Sequence, residues 1–282
     1  MGFTNFIQTI WAAKIEEALK NTLVFQSVAN TNYQGDLKNL NDEVRIIQIG
    51  DPTITSYSAN ADLAAPEKIN DAASVLKADQ AYYFNFAAND VEAIQAKPEL
   101  LRQCTMNAAH GFAEKVDQYI AGLYASAGLA KYTNDTPADV TSLNVDDVFL
   151  ECSEYMSENK IPRANRFAII PEWLHTKLIL AGLATKTNND QLYENSVVAK
   201  VHGFDIILSN NVSKNSTSWD KSRILMGIRG ESITFAGVIN KVEAYRPEKR
   251  FEDAVKGLYV FGGKIARPDK TLVLYADKTA EA

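Results

Sequence analysis

Cysteine and histidine are scarce in this chain. Its 282 residues include two cysteines, Cys104 and Cys152, and three histidines, His110, His175 and His202. The cysteines stand far apart and outside any Cys-x-x-Cys spacing. That argues against a disulfide framework or a zinc centre and fits a reducing cytoplasm. Each histidine is isolated, with none of the paired spacings that hold a catalytic metal. No apolar run reaches the length of a membrane span, and the N-terminus lacks the basic and apolar regions of a secretion signal. Basic charge is not in excess either. The formal net charge is -6, which excludes a protein that grips nucleic acid through an overall basic surface. Internal repeats and low-complexity tracts are absent.

The motifs of common enzymes are equally thin. There is no GxSxG elbow. Gly262-Gly263-Lys264 lacks the upstream glycine and downstream hydroxyl residue of a phosphate loop, and reads as a turn between strands. Gly227 and Gly230 lack the third glycine of a dinucleotide fingerprint. Carboxylate pairs at Glu16/Glu17 and Asp146/Asp147 suit helix first turns or solvated faces. The basic segment Arg246-Pro247-Glu248-Lys249-Arg250 reads as a solvated loop or an intersubunit salt-bridge site. The expectation is a chain that is not an enzyme, with no cofactor and no metal.

What is present is an ordinary globular composition, 46% hydrophobic and 23% charged, in a chain long enough to bury a core. Residues 3–20 pattern as an amphipathic helix carrying Trp11. Val44–Ile49 reads as a strand, 50–73 as a long polar connection, and Val75–Phe86 as a returning strand with Tyr82, Phe84 and Phe86 in alternation. Two strands around a long tip make a hairpin arm, which cannot bury both faces alone. Asn89–Glu92 has a capping-box pattern. Pro98 suits the first turn of a long helix whose apolar residues step by three or four from Leu101 to Leu123. A loop is expected over 131–144, then a helix capped by Asn144, a buried strand at Phe167–Ile170 and a helix started by Pro171. Strands follow at 204–208, 223–228 and 232–235, and 238–275 is rich in β-type sequence.

Several of these segments, in order, resemble the major capsid proteins of tailed double-stranded DNA bacteriophages. The segments are Val28-Ala29-Asn30 with Tyr33-Gln34-Gly35-Asp36, then Asn41-Asp42-Glu43-Val44, where Asn41 stands at a left-handed turn position usually held by glycine. Phe84–Asp90 follows, and Ala113–Ile120 is similar to that family's spine helix. Arg166–Pro171, Val201–Ile206 and Val242–Arg246 with Phe251–Leu258 complete the likeness.

The resemblance implies an α+β chain of the Johnson fold: an N-terminal arm (1–42), an extended β-hairpin loop (43–88), and a peripheral domain with the spine helix (89–130). An axial domain (131–237) and the C-terminal part of the peripheral domain (238–282) follow. It implies a homo-oligomer of hexamers and pentamers closing into an icosahedral capsid. The partners expected are a separate scaffolding protein, a portal protein, and packaged double-stranded DNA bound without sequence specificity, with no membrane. The location expected is the virion capsid, and the host cytoplasm during assembly. Trp11, Tyr82 and Phe84 are candidate apolar anchors, either on a neighbouring subunit or within the same one. Arg45, Lys68, Lys77, Glu243, Arg246 and Arg250 are candidates for interface salt bridges. An encapsulin-type compartment shell and a soluble α+β enzyme with a dispersed site are the competing readings.

Overall fold

The strand Arg166–Ile170 is apolar at every position after the arginine, and all five residues are buried. Such a run belongs in the middle of a sheet covered on both faces, and that is where it lies. The computed structural model describes residues 23–33, 37, 39–49, 54, 56, 71–89, 98–133, 135–183, 197–214, 221–246, 248 and 252–278. Outside them fall the expected helix at 3–20, residues 90–92 of the expected capping box, and Trp11, Lys68 and Arg250, while Asn89 ends a strand.

Among the described residues there are three helices, α1 (Pro98–Gly122), α2 (Val145–Glu158) and α3 (Glu172–Leu180). Thirteen strands form three sheets. Strands β1 (Glu43–Ile49) and β2 (Asp71–Lys77) pair antiparallel as an isolated ribbon. Strand β3 (Gln80–Asn89) belongs to a different sheet. There it lies beside β12 (Glu252–Ile265), whose other edge pairs with β11 (Ile233–Tyr245). The third sheet has eight strands, with the central order β4 (Leu129–Lys131), β13 (Leu272–Lys278), β10 (Lys221–Ile228), β6 (Arg166–Ile170), β8 (Phe204–Leu208), β7 (Val197–Val201). Strand β5 (Ala138–Val140) adds to β13, and β9 (Ser213–Lys214) adds to β10.

Because side chains alternate across a strand, the eight-stranded sheet feeds two cores. Ala168, Ile170, Ile206, Ile224, Met226, Leu272 and Leu274 face α2 and α3, where Phe149, Cys152, Met156, Leu174 and Leu178 close the layer. Phe167, Ile169, Ile207, Leu225 and Val273 face α1 and the three-stranded sheet, meeting Phe112, Val116, Ile120, Tyr259 and Phe261.

The structure departs from the sequence expectations in three places. The run Val75–Phe86 is two strands, because the chain breaks direction at Ala78-Asp79. Ala78 is spent on the ribbon's root, donating its N–H to Asp42 O (3.0 Å) and accepting from Asn41 N (2.8 Å). Gly262 and Gly263 lie inside β12 rather than in a turn. A Cβ on Gly262 would fall within the carbonyl oxygen of Lys77, so glycine is what lets the ribbon's root close on the sheet. The segment 131–144 supplies β5 as well as the end of β4, both parallel to β13. Strand β11 runs through residues 237 and 238, and β13 returns to the eight-stranded sheet.

Local signals did set several ends. Pro98 opens α1 and Pro171 is the residue before α3. Asn41 takes φ 69°, the left-handed turn expected of it. Asn144 precedes α2, but its side chain bonds backwards, accepting from Thr141 N (2.8 Å) and donating to Asp139 O (2.8 Å).

Candidate assembly surfaces

The β1–β2 ribbon joins the rest of the chain at one end. Ile46, Leu76, Ala78 and Leu37 pack on Ala236 and Val260 there, with Val44 and Leu258 at the margin. Lys264 Nζ reaches Val75 O (3.3 Å) from β12. Tyr119, on α1, donates its hydroxyl to Asp79 (2.9 Å) beside the break and sits 3.2 Å from Gly263 O. Burial and the Asp79 carboxylate push the Tyr119 hydroxyl above its ordinary value. The root is therefore fixed, while the two-stranded part beyond it has no third strand among the described residues.

The three-stranded sheet has two unlike faces. Tyr82, Phe84 and Phe86 point toward α1. Tyr82 stacks on Phe261 at 5.7 Å, and Phe84 meets Phe86 at 5.5 Å and Phe112 at 5.8 Å. The half-buried faces of these two candidate anchors thus pack within their own chain. On the other face the ribbon root covers one end, and beyond it lies an open groove of about 400 Å³ lined by Tyr83, Asn85, Glu243, Lys256 and Leu258. Tyr83 is 77% exposed, an unusual outlay for a ring of that size. Asn85 donates to the Tyr245 hydroxyl (2.9 Å), and Glu243 pairs with Lys256 (3.1 Å) directly across the strands. Sequence reasoning passed over Tyr83; strand alternation away from Tyr82 and Phe84 was the signal available.

The remaining candidates are dispersed. Arg45 is exposed on β1 opposite Val75, and Lys77 faces Glu43 at 3.9 Å, a solvated pair. Arg246 is exposed just past β11. Of the candidate interface residues, Glu243 lines the groove, paired there with Lys256. The histidines do not converge. His202 bonds to Asp146, but Ser153 donates to the His202 main-chain carbonyl (3.1 Å) rather than to its ring, so the trio has no nucleophile–base contact. Among the described residues no helix is long and apolar enough to cross a membrane, and no cluster of metal-ligating side chains occurs.

The backbone arrangement has clear parallels among solved structures. One from Mycobacterium phage Che8 superposes with TM-score 0.68 at 21% identity, covering 89% of this chain and 90% of that one. The capsid structure of cyanophage P-SCSP1u gives TM-score 0.69 at 17% identity, with 91% and 89% covered. The chain has the tailed-phage capsid fold. In that fold α1 is the spine helix and β1–β2 the extended loop. A virus-like particle from Pyrococcus furiosus shares the fold too, at TM-score 0.57 and 11% identity, over 95% of this chain and 99% of that one. No protein-family model matches the sequence, and no curated protein is similar to it at the sequence level.

Proposed function

We propose that the chain is a shell subunit, the major capsid protein of a tailed phage head built from hexamers and pentamers. The observation that carries this reading is the β1–β2 ribbon. A two-stranded ribbon attached at its root alone is marginal in water, and its unpaired edges invite a partner. A second copy supplies one. The open groove around Tyr83, Glu243 and Lys256 continues from the ribbon root on the same sheet face and is a seat of suitable character: an aromatic surface with charges of both signs. Arg45 and Lys77 on the ribbon are the residues assigned to ion pairs across that contact. Many such modest contacts, repeated under symmetry, close a shell without any one being strong. A separate scaffolding protein, a portal protein and double-stranded DNA held without sequence specificity are the partners of that reading, and no catalysis is required of the chain.

A compartment shell around enzyme cargo is the second reading, favoured by the fold shared with the Pyrococcus furiosus particle and with an encapsulin complex from Synechococcus elongatus. Negative-stain electron microscopy of the expressed protein, with and without a candidate scaffold, tests both. Closed shells, tubes or capsomers support a shell subunit; a uniform small particle under every condition overturns it. Nuclease-protected DNA in shells recovered from the natural source indicates a phage head, and a co-purifying enzyme indicates a compartment.

A further inference from the structure

Asp117 lies on the buried side of the spine helix, 2% exposed. Its two carboxylate oxygens accept from main-chain N–H groups of another segment, Phe25 N at 3.2 Å and Val24 N at 3.4 Å, and Asn211 adds a side-chain hydrogen bond. That segment, Leu23–Asn30, is a strap across the helix. Phe25 and Val28 are sealed into the core beneath it, at 1% and 0% exposure. Its far end is stitched to the start of β11 by Asn30 N to Ile233 O (2.7 Å) and Phe235 N to Asn30 O (3.0 Å), and Gly230 donates to Val28 O (2.8 Å). Gln26, in the same strap, buries its side-chain oxygen with no hydrogen-bond partner among the described residues. The strap is thus the lid over a buried carboxyl group, and lifting it returns that group to water.

Little titratable chemistry comes with the strap, since Leu23–Val28 includes no ionisable side chain. On the helix itself Glu114 and Lys115 are exposed, and Tyr119 is committed to Asp79. The loop carrying Asn211 brings Lys214. Strand β10 brings Arg223, which lies 4.5 Å over the Tyr124 ring and donates to Ser213 Oγ and Lys214 O. Strand β12 brings Tyr259 and Lys264, the latter bonded to Val75 O.

We propose that Asp117 and the strap Leu23–Asn30 form a proton-set latch, closed on the spine helix when Asp117 is protonated and eased open when it is ionised. Under the closed strap, burial pushes the Asp117 carboxyl up from 3.8 to about 6, against the lowering effect of its hydrogen bonds. With the strap lifted, the solvated carboxyl returns to the ordinary range. The closed state therefore binds the proton more tightly. Its advantage is fully present in acid below the ordinary value and is lost as pH rises through about 6. Between pH 5 and pH 7 this linkage raises the opening equilibrium about tenfold, and it levels off at higher pH. Asn211 suits both states, because its side-chain amide can donate to a carboxylate or accept from a carboxylic acid. The latch belongs to one chain, so it stands or falls separately from the shell reading.

Hydrogen exchange of the strap amides, read by mass spectrometry across pH 5 to 8 and corrected for intrinsic rates, tests it. The expected result is an opening constant that rises about tenfold from pH 5 to pH 7 in the native sequence, as the linkage requires. In Asp117→Asn, which keeps the acceptor oxygen and cannot ionise, the profile is flat. A flat native profile, or the same slope in both proteins, overturns the latch. Should Asp117→Asn not fold, the carboxyl carbon of Asp117 in aspartate-labelled native protein is titrated instead. A midpoint near 6 supports the latch and one near 4 overturns it.

Discussion

Removal of Arg166 is the sharpest test of how this chain is held together. The side chain is fully buried, yet its five N–H groups face acceptors in a ring. Nε donates to Pro162 O (2.8 Å), one terminal nitrogen to Ser153 O and Oγ (3.1 and 3.2 Å), and the other to Ser157 Oγ and Ile161 O (3.2 and 2.5 Å). The guanidinium also lies 5.9 Å from the Phe204 ring centre. None of these acceptors is a carboxylate. The cation is stabilised by main-chain carbonyls around the C-terminal end of α2, where the helix dipole is negative, while burial and nearby Arg163 lower its pKa from the ordinary value. In Arg166→Ala the carbonyls of Ile161 and Pro162 lose their donor, each at about 1–3 kcal/mol when no water replaces it, while Ser153 O keeps the Ser157 hydroxyl at 2.8 Å. Packing is lost as well. With water recovering part of the deficit, the expected destabilisation is about 4–6 kcal/mol, in the range reserved for breaking a buried network. For a chain of this size that lowers the melting temperature by roughly 10 °C. Arg166→Lys keeps the charge but not the planar fork, and falls between the two. Urea unfolding of the unassembled subunit, followed by tryptophan fluorescence, measures this, with the exposed neighbour Arg163→Ala as a control expected within about 0.5 kcal/mol of the native protein. An Arg166→Ala variant within about 1 kcal/mol of native would refute the account of the network as a structural necessity.

Two further outcomes are expected. Gly262→Ala drives a methyl group into the Lys77 carbonyl oxygen, so the ribbon root must lift from β12; the cost is about 1–3 kcal/mol, with increased protease cutting near residue 78 and loss of assembly as the readouts. Cys152 is buried and its thiol is pushed up to about 12, chiefly by burial, so the native protein takes up at most one equivalent of iodoacetamide at pH 8, at Cys104, and a second equivalent only after unfolding.

Much of the element list could be read from local pattern. The β-branched runs at Val44–Ile49 and Phe167–Ile170, the three-to-four spacing after Pro98, and the asparagine at position 41 each state a preference that neighbouring residues satisfy. The candidate site was less legible. Alternation in Gln80–Asn89 showed that two faces exist, and the aromatic face drew attention to Tyr82 and Phe84, whose inner surfaces prove to be occupied by Phe261 and Phe112. The exposed ring is Tyr83, one residue away, because what decides exposure is which face the spine helix covers.

The same division runs through the whole protein. Sequence by itself determined which stretches extend or coil and the turn at Asn41, because those choices depend on a residue and its near neighbours. Only the tertiary structure decided that β4 and β5 pair with a strand more than 130 residues later, that Gly262 marks a close approach rather than a turn, and that Asp117 and Arg166 sit in the interior. A pairing partner, a steric neighbour and a change of dielectric all come from residues distant along the chain, and no local pattern carries them.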